Sequence, residues 1–115
     1  MHAGAQYMAK LIDSFDPRIP FKQRVRFALA AYNAGRGHVE DARLLAADQG
    51  LDPNRWFGNV ERTMLLLQQP EYARRARHGY CRGEEPVKYV SEIQSRYDNW
   101  LSVVKDTGVD ATKTP

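Results

Sequence analysis

Cysteine is almost absent. Cys81 stands alone among 115 residues, so no intrachain disulfide can close and no Cys/His spacing offers a zinc site. Long apolar runs are missing too. The longest, Phe27 to Tyr32 and Met64 to Leu67, fall far short of the roughly 20 residues that cross a bilayer. Met1 to Lys10 lacks a basic stretch followed by an apolar core and so does not read as a signal peptide. That leaves a cytoplasmic protein or a chain whose true N-terminus lies further upstream. A large excess of one sign of charge is missing as well: 17 basic against 14 acidic side chains give only +3, with a pI near 9.2. This is too little to identify an anionic partner, and it argues against a dedicated nucleic-acid module.

Strand patterning is also missing, because no four residues alternate apolar and polar as a half-buried strand would. Neither an internal repeat nor a low-complexity segment is present. What remains is ample core material, 43% apolar and 10% aromatic residues, in a chain with room for one domain at most.

Helical periodicity fills most of that domain. Ala5, Met8, Ile12 and Phe15 form one stripe of a first helix, which Asp16 to Pro20 interrupts. A second helix runs from about Pro20 to Ala34, with Val25, Leu29 and Tyr32 on its stripe and small Ala28 and Ala31 beside them. Gly35 closes it, and the turn Gly35-Arg36-Gly37 leads to a third helix ending at Gly50. Asp52-Pro53 predicts a short helical turn through Trp56, with Asn59 capping a helix over 60–68. A short helix follows over 70–77, then a loop from Gly79 to Gly83 and a last long helix over 85–105. The expectation is an all-α fold of about six helices without a sheet, residues 1–105 forming the domain and 106–115 a disordered tail.

Few residues invite chemistry. His2, His38 and His78 are scattered without Cys or carboxylate at ligand spacing, so no metal site and no cofactor is expected. Cys81 has only His78 near it in sequence, and a lone loop cysteine is usually inert. Glu40, Asp41, Glu84 and Glu85 fall in first turns of helices, where the macrodipole favours negative charge. Glu61, Glu71 and Glu92 suit solvated helix faces, and none looks buried enough for a raised pKa. The basic cluster Arg74, Arg75, Arg77, His78 and Arg82 reads as a solvated surface.

The segment Ala30-Ala31-Tyr32-Asn33-Ala34-Gly35 places a phenol and an amide on the last turn of a small, apolar helix. By itself that is a ring packed into a core and an Asn ending a helix. The run resembles, letter for letter in Tyr-Asn-Ala-Gly, the signature of lytic transglycosylases of the soluble-transglycosylase (SLT) type, whose fold is lysozyme-like. The resemblance continues through Gly37 to Arg43, Leu51 to Gly58, Gly79 to Gly83 and Glu85 to Ile93, which look like the membrane-bound type F branch. It covers roughly 3–104 in order and spacing.

The resemblance implies cleavage of the MurNAc–GlcNAc bond in peptidoglycan with a 1,6-anhydro product. One glutamic acid suffices, acting first as acid and then as base, because the attacking hydroxyl belongs to the substrate. In the family that acid stands in a Glu-Ser motif, followed by a Gly-Leu-Met-Gln-type motif, ahead of Tyr-Asn-Ala-Gly. This sequence has neither before Tyr32, so the catalytic Glu is expected upstream of Met1 and the chain alone is expected to be inactive. Carried over, Tyr32, Asn33 and Tyr89 would line the substrate cleft, with His38, Arg36 and Glu85 as weaker candidates. The implied partner is the peptidoglycan glycan strand, with no nucleic acid and no membrane span. The implied location is the periplasm, outer-membrane associated in the parent protein. A competing expectation is a non-catalytic peptidoglycan-binding or interaction module. If preceding helices are absent, apolar faces would be uncovered and self-association would follow.

Overall fold

The computed structural model describes residues 2–107, which form six α-helices and, among the described residues, no strand. The all-α expectation therefore holds. Helix α1 (His2–Asp13) turns its Leu11 side into the core, with Met8 and Ile12 beside it. Its end is fixed locally, where the Ser14 hydroxyl donates to the Leu11 carbonyl at 2.6 Å. The Asp16 carboxylate then accepts both the Arg18 amide at 2.9 Å and the Arg18 guanidinium at 2.7 Å. Those bonds shape the tight turn that delivers Ile19 to the core.

Helix α2 (Phe21–Ala34) begins one residue after Pro20. It buries Phe27, Ala28, Ala30 and Ala31. Three alanines on that face let α1, α3 (Arg36–Asp48) and α6 (Glu84–Thr107) approach closely. Between α2 and α3 stands Gly35 alone, with φ 107°, its amide donating to the Ala31 carbonyl at 2.7 Å. A side chain is strained at that φ, which is why one glycine suffices where the sequence predicted a three-residue turn.

Residues 52–60 depart further from expectation. Asp52 accepts the Asn54 amide at 2.9 Å, making an Asx turn rather than a helix N-cap. At Trp56–Val60 the chain makes a wide turn in which Phe57 (ψ 129°) and Gly58 (φ 74°) leave helical geometry. Asn59 does not cap the next helix; its carboxamide oxygen accepts the Asp52 amide at 3.0 Å. Trp56 is driven fully into the core against the edge of Phe27.

Helix α4 (Glu61–Leu66) is pinned by Thr63, whose buried hydroxyl donates to the Ala42 carbonyl of α3 at 2.6 Å. Helix α5 (Pro70–Arg75) carries no buried residue. After it the chain returns over α4: the Cys81 amide donates to the Leu67 carbonyl at 3.3 Å, and Gly83 lies so close to the Met64 carbonyl that no side chain fits between them. Helix α6 then packs its first half on α2 and α4 through Val87 and Val90. Its second half runs past the core, leaving Tyr97, Trp100 and Val103 exposed. It continues through Thr107, two residues beyond its expected end at Lys105, and the rest of the expected tail lies outside the described residues.

Arg43 knits these pieces together. Its Nε donates to the Pro53 carbonyl at 3.0 Å, one terminal nitrogen to Asn54 at 2.9 Å and the other to Glu40 at 3.2 Å. The guanidinium also lies over the Phe27 ring at 5.3 Å.

Candidate functional site

A pocket of about 310 Å³ forms where the end of α2, the start of α3, the 79–83 loop and the start of α6 converge. Asn33, His38, Tyr80, Arg82 and Glu85 supply its polar lining. Each is placed by a feature already described. Gly35 sets Asn33 and His38 on either side of one sharp corner, and the anchoring of Cys81 and Gly83 on α4 aims Tyr80 and Arg82 across from them. Pro86, fully buried, seats the first turn of α6 and with it Glu85.

Electrostatically the pocket is open and mixed. Glu85 keeps 58% of its side chain exposed and lies 3.8 Å from Arg82, a solvated pair of little energetic weight. The Nδ1 of His38 is buried without a hydrogen-bond partner among the described residues. Its ring meets the His78 edge at 6.5 Å, and the His78 backbone amide donates to Asp41 at 2.8 Å. Asp41 is buried at 6% exposure, and because α3 starts at Arg36 its first turn holds no acidic residue, which corrects the expectation that Glu40 and Asp41 sit there to serve the helix dipole. The Asp41 carboxylate ties the 76–79 bend to α3. Glu40 pairs with both Arg36 (2.9 Å) and Arg43 (3.2 Å). The Cys81 thiol is pushed up by burial first, then by the carboxylates of Glu85 and Asp41, which leaves it a poor nucleophile. Among the described residues no His, Cys, Asp and Glu side chains gather as a metal-ligand set, and no helix is long and apolar enough to cross a membrane.

Of the residues singled out by sequence, Asn33 lines the pocket. Tyr32 lies beside it at the end of α2, 47% exposed, with its ring tilted against Tyr7 of α1 at 5.9 Å. Tyr89 is half-buried one turn after Glu85 on α6. Of the three, only Asn33 lines the pocket itself. Glu85 and His38, the weaker candidates, are both in the lining, whereas Arg36 turns away to Ser14 and Glu40. Tyr80 and Arg82 were missed as site residues. Their signal was the glycine-bounded run Gly79 to Gly83, in which Gly79 takes a positive φ of 76° and Gly83 lies against the Met64 backbone. The amide of Asn33, the phenol of Tyr80 and the solvated carboxylate of Glu85 around an open pocket suit a polyhydroxylated ligand, to which each can donate or accept. The basic cluster does not form one face: Arg82 borders this pocket, and Arg75 and Arg77 border another.

The Transglycosylase SLT domain family model matches residues 1–53. The chain is 46% identical over 103 residues to the membrane-bound lytic murein transglycosylase F of Shewanella halifaxensis, covering 88% of this chain and 22% of that protein. Against the protein of the same name from Idiomarina loihiensis it is 43% identical over 98 residues, 85% of this chain and 21% of that one. For Pseudomonas fluorescens the figures are 45% over 101 residues, 86% and 21%. The chain thus spans about a fifth of the length of the curated relatives it matches.

Proposed function

Because this chain belongs to the SLT-domain family of lytic murein transglycosylases, we propose that it forms the substrate-holding side of a site that cleaves peptidoglycan between MurNAc and GlcNAc and leaves a 1,6-anhydro end. Asn33 and Tyr80 bind sugar hydroxyls and acetamido groups in the pocket, and Tyr32 and Tyr89 extend the contact along the glycan strand. The observation that carries this reading is the convergence of Asn33, from the Tyr-Asn-Ala-Gly corner, with Glu85 and Tyr80 in one open pocket.

The reaction needs a carboxyl kept protonated by its surroundings so that it can give its proton to the leaving oxygen. The carboxylates near the pocket are otherwise engaged: Glu40 is ion-paired, Asp41 accepts an amide, and Glu85 is solvated beside Arg82. The reading therefore assigns the reacting glutamic acid to a segment upstream of Tyr32 in the parent protein, with Tyr32 orienting it. The site of action is the periplasm, at the outer membrane. The groove between α2 and α6, where exposed Phe21 and Tyr97 flank Val25, Leu29 and Ile93, would pair copies of the isolated chain.

The test is incubation of the purified chain with peptidoglycan beside an active transglycosylase, with mass spectrometry of the soluble products and a pull-down on insoluble murein. The expected result is no 1,6-anhydromuropeptide, retention on murein, and loss of retention in Asn33→Ala/Tyr80→Ala. Release of anhydro products would refute the upstream acid, and failure to bind murein would refute the sugar-holding role. Light scattering that shows a monomer at high concentration would refute the pairing.

A further inference from the structure

A second cavity, about 480 Å³, lies between the C-terminal half of α3 and the segment around α5. Its walls combine apolar Leu45 and Leu67 with Tyr72 and four charged side chains, Asp41, Asp48, Arg75 and Arg77, of which Asp41 already accepts the His78 amide at 2.8 Å and leaves the other three to a ligand. Arg75 is oriented there: its Nε donates to the Glu71 carbonyl at 3.3 Å, and its guanidinium lies over the Tyr72 ring at 5.3 Å. Among the described residues, no ion pair within 4.0 Å joins Asp48 to Arg75 or Arg77, or any of them to another charge. Charges of both signs therefore border one cavity with apolar surface and are not satisfied by each other. A ligand that carries both charges at its two ends, with small side chains between, complements all three features at once.

We propose that this cavity binds a short peptide with a free ammonium and a free carboxylate. The carboxylate meets Arg75 and Arg77, whose planar guanidinium groups suit its two oxygens; the ammonium meets Asp48; and the side chains rest on Leu45 and Leu67. The inference is independent of the Asn33 pocket and of its proposed substrate.

Trialanine is the probe, followed by titration calorimetry and by backbone amide shifts in the full chain. Binding is expected to move amides of 44–49 and 72–77 and to weaken about tenfold when the peptide is N-acetylated or C-amidated, each of which removes one charge-assisted contact. Asp48→Asn should abolish the preference for the free N-terminus only, and Arg75→Gln/Arg77→Gln the preference for the free C-terminus only. All three side chains are exposed, so the variants should melt as the parent does. Equal binding of free and blocked peptides, equal binding of free alanine, or shifts confined to the Asn33 pocket would each overturn the proposal.

Discussion

Arg43→Ala tests how much of the fold hangs on one side chain. The side chain is only 19% exposed, and its guanidinium makes three hydrogen bonds, to Pro53, Asn54 and Glu40, besides covering Phe27 and Phe15. Asn54 is exposed and Glu40 keeps Arg36, so those two partners are rehydrated or re-paired at little cost. The contact to the Pro53 carbonyl and the cover over the aromatic rings are not so easily replaced. Taking about 1–1.5 kcal/mol for that charge-assisted bond and about 1 kcal/mol for the ring contacts, with a remainder for the other two bonds, the loss comes to about 2–3 kcal/mol. For a domain of this size that lowers the melting temperature by roughly 10–15 °C. Arg43→Lys should recover less than half, because one ammonium cannot fork between Pro53 and Asn54 while lying flat on a ring. Urea unfolding followed by circular dichroism reads both variants. A shift under about 0.5 kcal/mol for Arg43→Ala, or full recovery by Lys, would refute the assignment of Arg43 as the clasp between α3 and the 52–55 turn.

Gly83→Ala should be severe, about 2–4 kcal/mol, because the new Cβ would overlap the Met64 backbone; Gly37→Ala, whose Cβ meets only the exposed His78 ring at 2.8 Å, should change stability by less than about 1 kcal/mol. Thermal melts of the pair compare a backbone contact with a movable one. Asp16 is held down to about 2 by its side-chain hydrogen bond from Arg18 and by the Arg18 amide. A depressed carboxylate contributes stability above its ordinary value of 3.8 and loses it as pH falls through about 2, so its carboxyl carbon shift should titrate near pH 2 and return toward 3.8 in Arg18→Ala. The Cys81 thiol, 5% exposed and pushed up by burial, should ignore a thiol-specific disulfide reagent in buffer and react promptly in urea.

Periodicity made most of the helices legible because a helix that covers the core buries one stripe; α5 buries none, and on α2 the core takes Phe27, Ala28, Ala30 and Ala31 while Tyr32 of the predicted stripe stands exposed. Val39, Ala42 and Ala46 on α3, and Val87 and Val90 on α6, all lie on the inner faces that their spacing predicts. The 52–60 stretch was not legible. There Asp-Pro and Asn carry the marks of helix caps, yet the chain needs a wide turn to sink Trp56, and side-chain bonds from Asp52 and Asn59 support that turn instead. Asn33 was found through a local motif. Tyr80 and Arg82 come to the pocket from residues more than forty positions away, by a loop whose path is set by backbone contacts with α4 that no local pattern encodes. Asp41 was misread for the same reason, since its partner is the amide of His78.

Helix α6 is anchored at one end and bare at the other. Its first two turns are locked by Pro86, Val90 and the Gly83–Met64 contact, whereas Tyr97, Trp100 and Val103 stand in solvent. One unbroken run of hydrogen bonds thus spans a gradient of local stability. Amide exchange should slow toward that of global unfolding near Val90 and quicken turn by turn toward Thr107. The far turns can fray and re-form without disturbing the pocket at the near end, so a partner that grips the Tyr97–Trp100 face would order that half of the helix and leave Glu85 where it is.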